Sequence, residues 1–176
     1  MQTSLSIKEP GLNALPPGVE RYVINGGGLT GIQILPDDEI EIINNEGNQV
    51  CEISIFNKDG KSELAILGLK EIKDSSEIKK ILFKKDETSL QALLQLKRRN
   101  LDIEKSKSSI IFDKGTKAGE SIKLKSKDKC YCIIAAPGEE MMVHEQNPST
   151  ELTVMVKRSI VKKDKEFSII PDPVYD

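Results

Sequence analysis

Apolar and polar residues alternate with a period of two over several short stretches, the mark of half-buried strands. Val19–Ile24 is the first, running into Asn25-Gly26-Gly27-Gly28, and Gly31–Leu35 is the second, closed by the turn residues Pro36-Asp37-Asp38. Ile40, Ile42 and the neighbouring Ile43 then interleave with Glu39 and Glu41, which predicts a strand with one wet face. Beyond the dense turn signal Asn44-Asn45-Glu46-Gly47-Asn48, Val50–Phe56 sets Val50, Glu52 and Ser54 on one face and Cys51, Ile53 and Ile55 on the other. Asn57-Lys58-Asp59-Gly60 stops that strand, so Ile40–Phe56 is expected to form a β-hairpin.

The period changes in the middle of the chain. Asp74-Ser75-Ser76 caps a short helix carrying Ile78, Ile81 and Leu82, and Asp86 or Thr88 caps a second with Leu90, Leu93 and Leu94 and, further round, Leu101. Lys97-Arg98-Arg99 falls in the last turn, where cations complement the helix dipole. From Ser108 the period of two returns, through Ile110-Ile111-Phe112, Ile122–Lys125, Cys130–Ala136 and Leu152–Val156. Pro36–Ile55 and Ala118–Ala135 share one plan: turn, alternating strand, polar turn, Cys-bearing strand. The expected architecture is mostly β (α+β), an antiparallel barrel- or sandwich-like sheet with two short helices packed outside. Residues 1–18, with three prolines and two glycines, read as an extended leader. Residues 19–167 read as one β-rich domain with a helical insert at about 74–101, and 168–176 as a linker-like tail.

Composition narrows the function classes. A length of 176 residues suits one domain with a real core. No apolar run approaches the ~18–20 residues that cross a bilayer, and the opening MQTSLSIKEPGLN has no secretory pattern, so no membrane partner and a cytoplasmic location are expected. With 26 Lys+Arg against 28 Asp+Glu, an electrostatic nucleic-acid surface is not expected. The three cysteines form an odd set and read as reduced thiols, and a single histidine, His144, disfavours a multi-histidine metal site.

Candidate chemistry is sparse. Gly26–Gly31 satisfies G-x-G-x-x-G in form, but a proline-terminated alternating segment follows where a dinucleotide site needs a helix. The glycines are instead expected in a tight connection. Asn and Gly in Glu46-Gly47-Asn48-Gln49 need only form the turn, which leaves Gln49 and Glu52 unexplained. Glu46, Asn48, Gln49 and Glu52 are therefore the candidate ligand-binding set. Cys130 and Cys132 share one strand face and, with Cys51 and His144, make a tetrahedral zinc site conceivable. Inert core thiols are the commoner state of strand cysteines. Glu139-Glu140 and Glu145 are loop acids near His144, and Met141-Met142-Val143 reads as core or interface.

Asp38-Glu39-Ile40-Glu41-Ile42-Ile43-Asn44-Asn45-Glu46-Gly47-Asn48-Gln49, closing Val19–Phe56, resembles the urea-carboxylase-associated domain family, whose pattern is a turn, an alternating strand and D-x-E-G-x-Q. Ile133-Ile134-Ala135-Ala136-Pro137-Gly138-Glu139-Glu140-Met141, followed by Glu145–Val154, resembles that family's closing segment. The resemblance covers about half the chain. It implies one of two branches: zinc-dependent hydrolases of C–N bonds, or domains fused ahead of a glycine-cleavage T-protein-type aminomethyltransferase. Asn44 replaces the family's usual Asp, Ala136 stands where a cysteine often precedes the closing Pro, and the middle H-D-x-L-x-x-x-C stretch is missing. The wording of the closing segment is nearer the fusion branch. The expectation is thus an amino-terminal, non-catalytic domain serving ligand binding, docking or oligomerisation, with no cofactor of its own. Its partners would be a downstream domain, where tetrahydrofolate is used, or copies of itself. A zinc hydrolase and a stand-alone binding or scaffold domain are the alternatives.

Overall fold

The computed structural model describes residues 15–70, 72–138 and 149–159. Among them, nine strands form two antiparallel sheets. The first sheet has the order β1 (Val19–Ile24), β9 (Leu152–Lys157), β3 (Glu39–Asn44), β7 (Glu120–Lys125). The second has the order β2 (Leu29–Ile34), β8 (Cys130–Ala135), β4 (Glu52–Phe56), β6 (Lys107–Ile110), β5 (Lys73–Asp74). Helices α1 (Ser76–Leu82) and α2 (Glu87–Arg98) lie outside the second sheet. The arrangement is a sandwich with a helical third layer, as the alternation and the two capped helical segments predict.

The two cores differ in composition. Between the sheets pack Ile24, Ile34, Ile42, Ile53, Val154 and their neighbours. Between the second sheet and the helices pack Phe56, Ile78, Leu82, Leu96, Ile103 and Ile133. The second sheet is therefore covered on both faces, and every residue of β4 is buried. The first sheet has one wet face, and β3 alternates buried Ile40, Ile42 and Asn44 with more accessible Glu39, Glu41 and Ile43. The 3₁₀ turn Leu64–Leu67, which no period announces, inserts Leu64, Ile66 and Leu67 into the inter-sheet core.

The expected Ile40–Phe56 hairpin does not form. β3 pairs with β7 and β9, whereas β4 pairs with β6 and β8, so the chain crosses from one sheet to the other between them. β7 to β8 crosses in the same sense, and the shared plan of Pro36–Ile55 and Ala118–Ala135 is thus a pair of inter-sheet arches. Alternation reveals that a strand has an apolar face, not which partner shares its hydrogen bonds. Here Ile40 and Ile42 meet Cys51, Ile53 and Ile55 across the core rather than along a ladder.

β1 and β2 are joined by a third arch at the glycine run. Gly27 N–H donates to Ala136 O at 2.6 Å, and Ala136 N–H to Gly28 O at 2.9 Å, so these amides close the arch against the end of β8. A Cβ on Gly26 would meet the Ser149 backbone at 2.6 Å, so glycine there permits the approach of chain to chain.

One end of the sandwich is clamped by charge. Asp38 is fully buried in the β2–β3 turn, and its carboxylate accepts from Leu35 N–H, Ser159 N–H (both 2.9 Å) and Arg158 Nη1 (2.7 Å). Arg158 also donates through Nε and Nη2 to the two Glu20 oxygens, each at 2.9 Å, and through Nη1 to Gln33 O at 2.8 Å. The guanidinium holds the Glu20 carboxyl below its ordinary range. Arg158 N–H donates to Gly18 O at 2.8 Å, which sets the end of β9 beside the start of β1. Asp38→Ala leaves the largely covered Arg158 head without its closest partner and two amides unpaired. A loss of about 3–5 kcal/mol is expected, measured as a lower midpoint in urea unfolding.

Candidate functional site

The Asn44–Val50 arch carries the residues the sequence singled out. Gly47 has φ 81°, and a Cβ there would strike Thr116 O and Ala118 N at 2.7 Å, so only glycine allows the arch to rest on the 116–119 turn. Asn48 follows at φ 58°, a left-handed conformation that Asn tolerates. Asn48 N–H donates to Thr116 O at 2.8 Å and Gly119 N–H to Asn44 O at 2.7 Å, locking the two turns together. Asn45 Nδ2 donates to Glu151 Oε1 and Thr153 Oγ1, both at 2.9 Å.

Gln49 is the centre of this cluster. Its buried amide Nε2 donates to Val50 O at 2.8 Å and Pro137 O at 2.9 Å, while Oε1 accepts from Thr150 N–H at 2.8 Å. Asn44 Nδ2 in turn donates to Gln49 O at 2.8 Å. One side chain thus joins the arch, the end of β8 and the approach to β9. Asn44 Oδ1 and Thr150 Oγ1 are buried here without a partner among the described residues, the setting in which an ordered water contributes. Glu46 and Asn48 point outward and are exposed.

Glu52 belongs to another layer. It sits opposite Ala135 on the helix-facing side of the second sheet, and its Oε2 accepts from Ile78 N–H at 2.8 Å. The strand carboxylate thereby satisfies a free amide in the first turn of α1, a task the sequence assigns to the Asp74–Ser76 segment. Ser75 makes no side-chain cap; its hydroxyl pairs with that of Ser108. Burial pushes the Glu52 carboxyl above its ordinary 4.5, against hydrogen bonds from Ile78 and Ser108 that pull it down. The four candidate ligand residues are therefore not convergent: two are exposed, one fastens the arch, one holds a helix.

The cysteines also separate into two groups. Cys130 and Cys132 share a face with their sulfurs 3.9 Å apart, and Cys130 Sγ lies 3.8 Å from Ser126 Oγ. Their contact raises Cys132 and lowers Cys130, as one thiol donates to the other. Cys132 pairs with Ile55, whereas Cys51 precedes Glu52, so Cys51 lies four residues along the sheet, about 13 Å away by strand rise. Burial, with the adjacent Glu52 charge, pushes the Cys51 thiol far up. The zinc arrangement imagined for Cys51, Cys130 and Cys132 is thus not assembled, and no group of three His, Cys, Asp or Glu able to hold a metal occurs among the described residues. His144 lies outside those residues, as do Glu139, Glu140, Glu145 and Met141-Met142-Val143.

Two further features were not flagged by the sequence. An open cleft of about 360 Å³ is bordered by Phe112, Asp113, Thr116, Glu120, Ser121 and Ile122, beside the arch. Arg99 stacks over the Tyr131 ring, 4.2 Å from its centroid, and reaches Gln33 Oε1 at 3.3 Å. The cation of this helix end packs on the second sheet as well as complementing the dipole.

Gln49→Ala leaves Thr150 N–H and two carbonyls unpaired in a buried setting. A loss of about 1–3 kcal/mol is expected, with faster amide exchange at Thr150 in hydrogen–deuterium measurements. Glu52 carries a pH signature. Its folded value lies above its unfolded one, so the native state binds the extra proton, and its contribution weakens as pH rises from about 4.5 through the raised value. Glu52→Gln keeps an acceptor for Ile78 N–H without the charge. Its stability profile across that window is expected to be flatter than that of the parent chain, measured by urea midpoints at successive pH values.

No protein-family model matches the chain. Trimethylamine-oxide aldolase of Ruegeria pomeroyi is 33% identical to it over 172 residues, which is 97% of this chain and 22% of that protein. The chain therefore spans about a fifth of the length of the curated relative it matches.

Proposed function

We propose that the chain is a non-catalytic domain of a longer polypeptide built like trimethylamine-oxide aldolase, where it serves as a docking and assembly module. The similarity over 97% of the chain and 22% of the relative supports a unit occupying part of a larger protein. The resemblance to the urea-carboxylase-associated family, in the branch fused to T-protein-type aminomethyltransferases, leads to the same arrangement by other residues. In that reading the chain lies amino-terminal to the catalytic part, and any tetrahydrofolate is used downstream.

The observation that carries the non-catalytic reading is the way Gln49 is employed. All three of its hydrogen bonds end on main-chain groups of this chain, at Val50, Pro137 and Thr150. Its amide is built into the frame, not presented to a ligand. The same holds for Glu52 at Ile78 N–H, and the thiols lie within apolar packing. A hydrolytic site needs a metal held with an open position and an acid or base beside it, and these side chains are committed elsewhere.

The purified chain is expected to leave trimethylamine N-oxide unconsumed by proton NMR, with or without added zinc. Co-expressed with the remaining four-fifths of the Ruegeria pomeroyi relative, it is expected to co-purify with that fragment. Turnover by the chain alone sinks the non-catalytic reading, and separation of the two pieces on a sizing column sinks docking.

A further inference from the structure

Helix α2 presents an exposed stripe that its own fold does not use. Ser89 and Leu96 are buried and Ala92 and Leu93 half-buried against the second sheet, which accounts for one face. Leu90 and Leu94 are 48% and 52% exposed, one turn apart on a neighbouring face. Phe83, at the C-cap of α1, is 44% exposed and precedes α2 directly in the chain. Glu87 and Lys97 are exposed three residues before Leu90 and three after Leu94, so they lie on the same stripe.

The order along that stripe is Glu87, Leu90, Leu94, Lys97, and it is symmetric about position 92. Acids at the start and cations at the end of a helix serve its own dipole. The dipole does not call for two exposed leucines placed evenly between them. A second α2 laid antiparallel across the first brings Leu90 onto the partner's Leu94, Leu94 onto the partner's Leu90, and Glu87 beside the partner's Lys97 at both ends. This is the self-complementarity that a two-fold isologous interface requires.

We propose that this stripe docks a second copy of the same chain, α2 against α2, antiparallel, with a leucine centre and a charged rim. The proposal is independent of the aldolase-type reading above. A helix of 12 residues is about 18 Å long, so the contact lies at the small end of specific interfaces and the dimer is weak and reversible. Its rim charges make it weaken with added salt.

The test is sedimentation equilibrium of the full 176-residue chain at about 10 µM to about 1 mM, the range in which small interfaces assemble. A monomer–dimer equilibrium is expected, weakened about tenfold or more by Leu94→Glu, a substitution at an exposed position that leaves the circular-dichroism spectrum unchanged. Glu87→Lys and Lys97→Glu, each alone, set like charges against each other and weaken the dimer. The double variant Glu87→Lys/Lys97→Glu restores it, because antiparallel pairing exchanges the two ends. A chain that stays monomeric throughout, a dimer indifferent to Leu94→Glu, or a double variant no better than the singles overturns the proposal.

Discussion

β4 and β8 form the middle of a sheet with apolar cover on both sides, and this double burial governs the polar chemistry of the chain. A polar group carried into such a sheet loses water on either face and must find a partner within the protein. Glu52 finds the first-turn amide of α1, Ser54 finds Lys107 O at 2.8 Å, and Ser75 and Ser108 find each other. Two of these bonds, from Glu52 and from Ser108, fasten α1 to the sheet, and the Ser54 bond ties β4 to β6. Apolar packing of Phe56, Ile78, Leu82, Leu96 and Ile133 completes the attachment of both helices.

The first sheet obeys a different rule, because only one of its faces is dry. Along its outer surface Arg21, Met155, Glu41 and Lys123 stand in one register row, and Ser121 Oγ donates to Glu41 at 2.8 Å. Its edge strand β7 turns Lys123 and Lys125 outward, charges that discourage edge-to-edge pairing with other chains. What the first sheet lacks in a covering layer is offset at one end by Asp38 and Arg158, whose bonds gather β1, the β2–β3 turn and the end of β9.

The strands and helices were legible because each depends on local periodicity. β3 and β4 can be read from Ile40, Ile42, Ile53 and Ile55, and α2 from the capping acid Asp86, whose Oδ1 accepts from Ser89 N–H at 2.7 Å. Their mutual placement was not legible, since a hairpin and an inter-sheet arch produce the same alternation. The site followed the same division. Gln49 and Glu52 stand out as polar residues that a turn leaves unexplained, but their partners Pro137, Thr150 and Ile78 lie 88, 101 and 26 residues away. Only the fold supplies those pairings. Cys51 and Cys132 likewise share a period and a core, yet the register of β4 on β8 holds them apart.

The hydrogen bond between Arg158 N–H and Gly18 O has a consequence for how such a unit is carried. It lies where the start of β1 meets the end of β9, with Val19 opposite Lys157, so the described sandwich begins and ends at one corner. A module with its ends together can be spliced into a host sequence as a cassette without prying apart the host segments on either side.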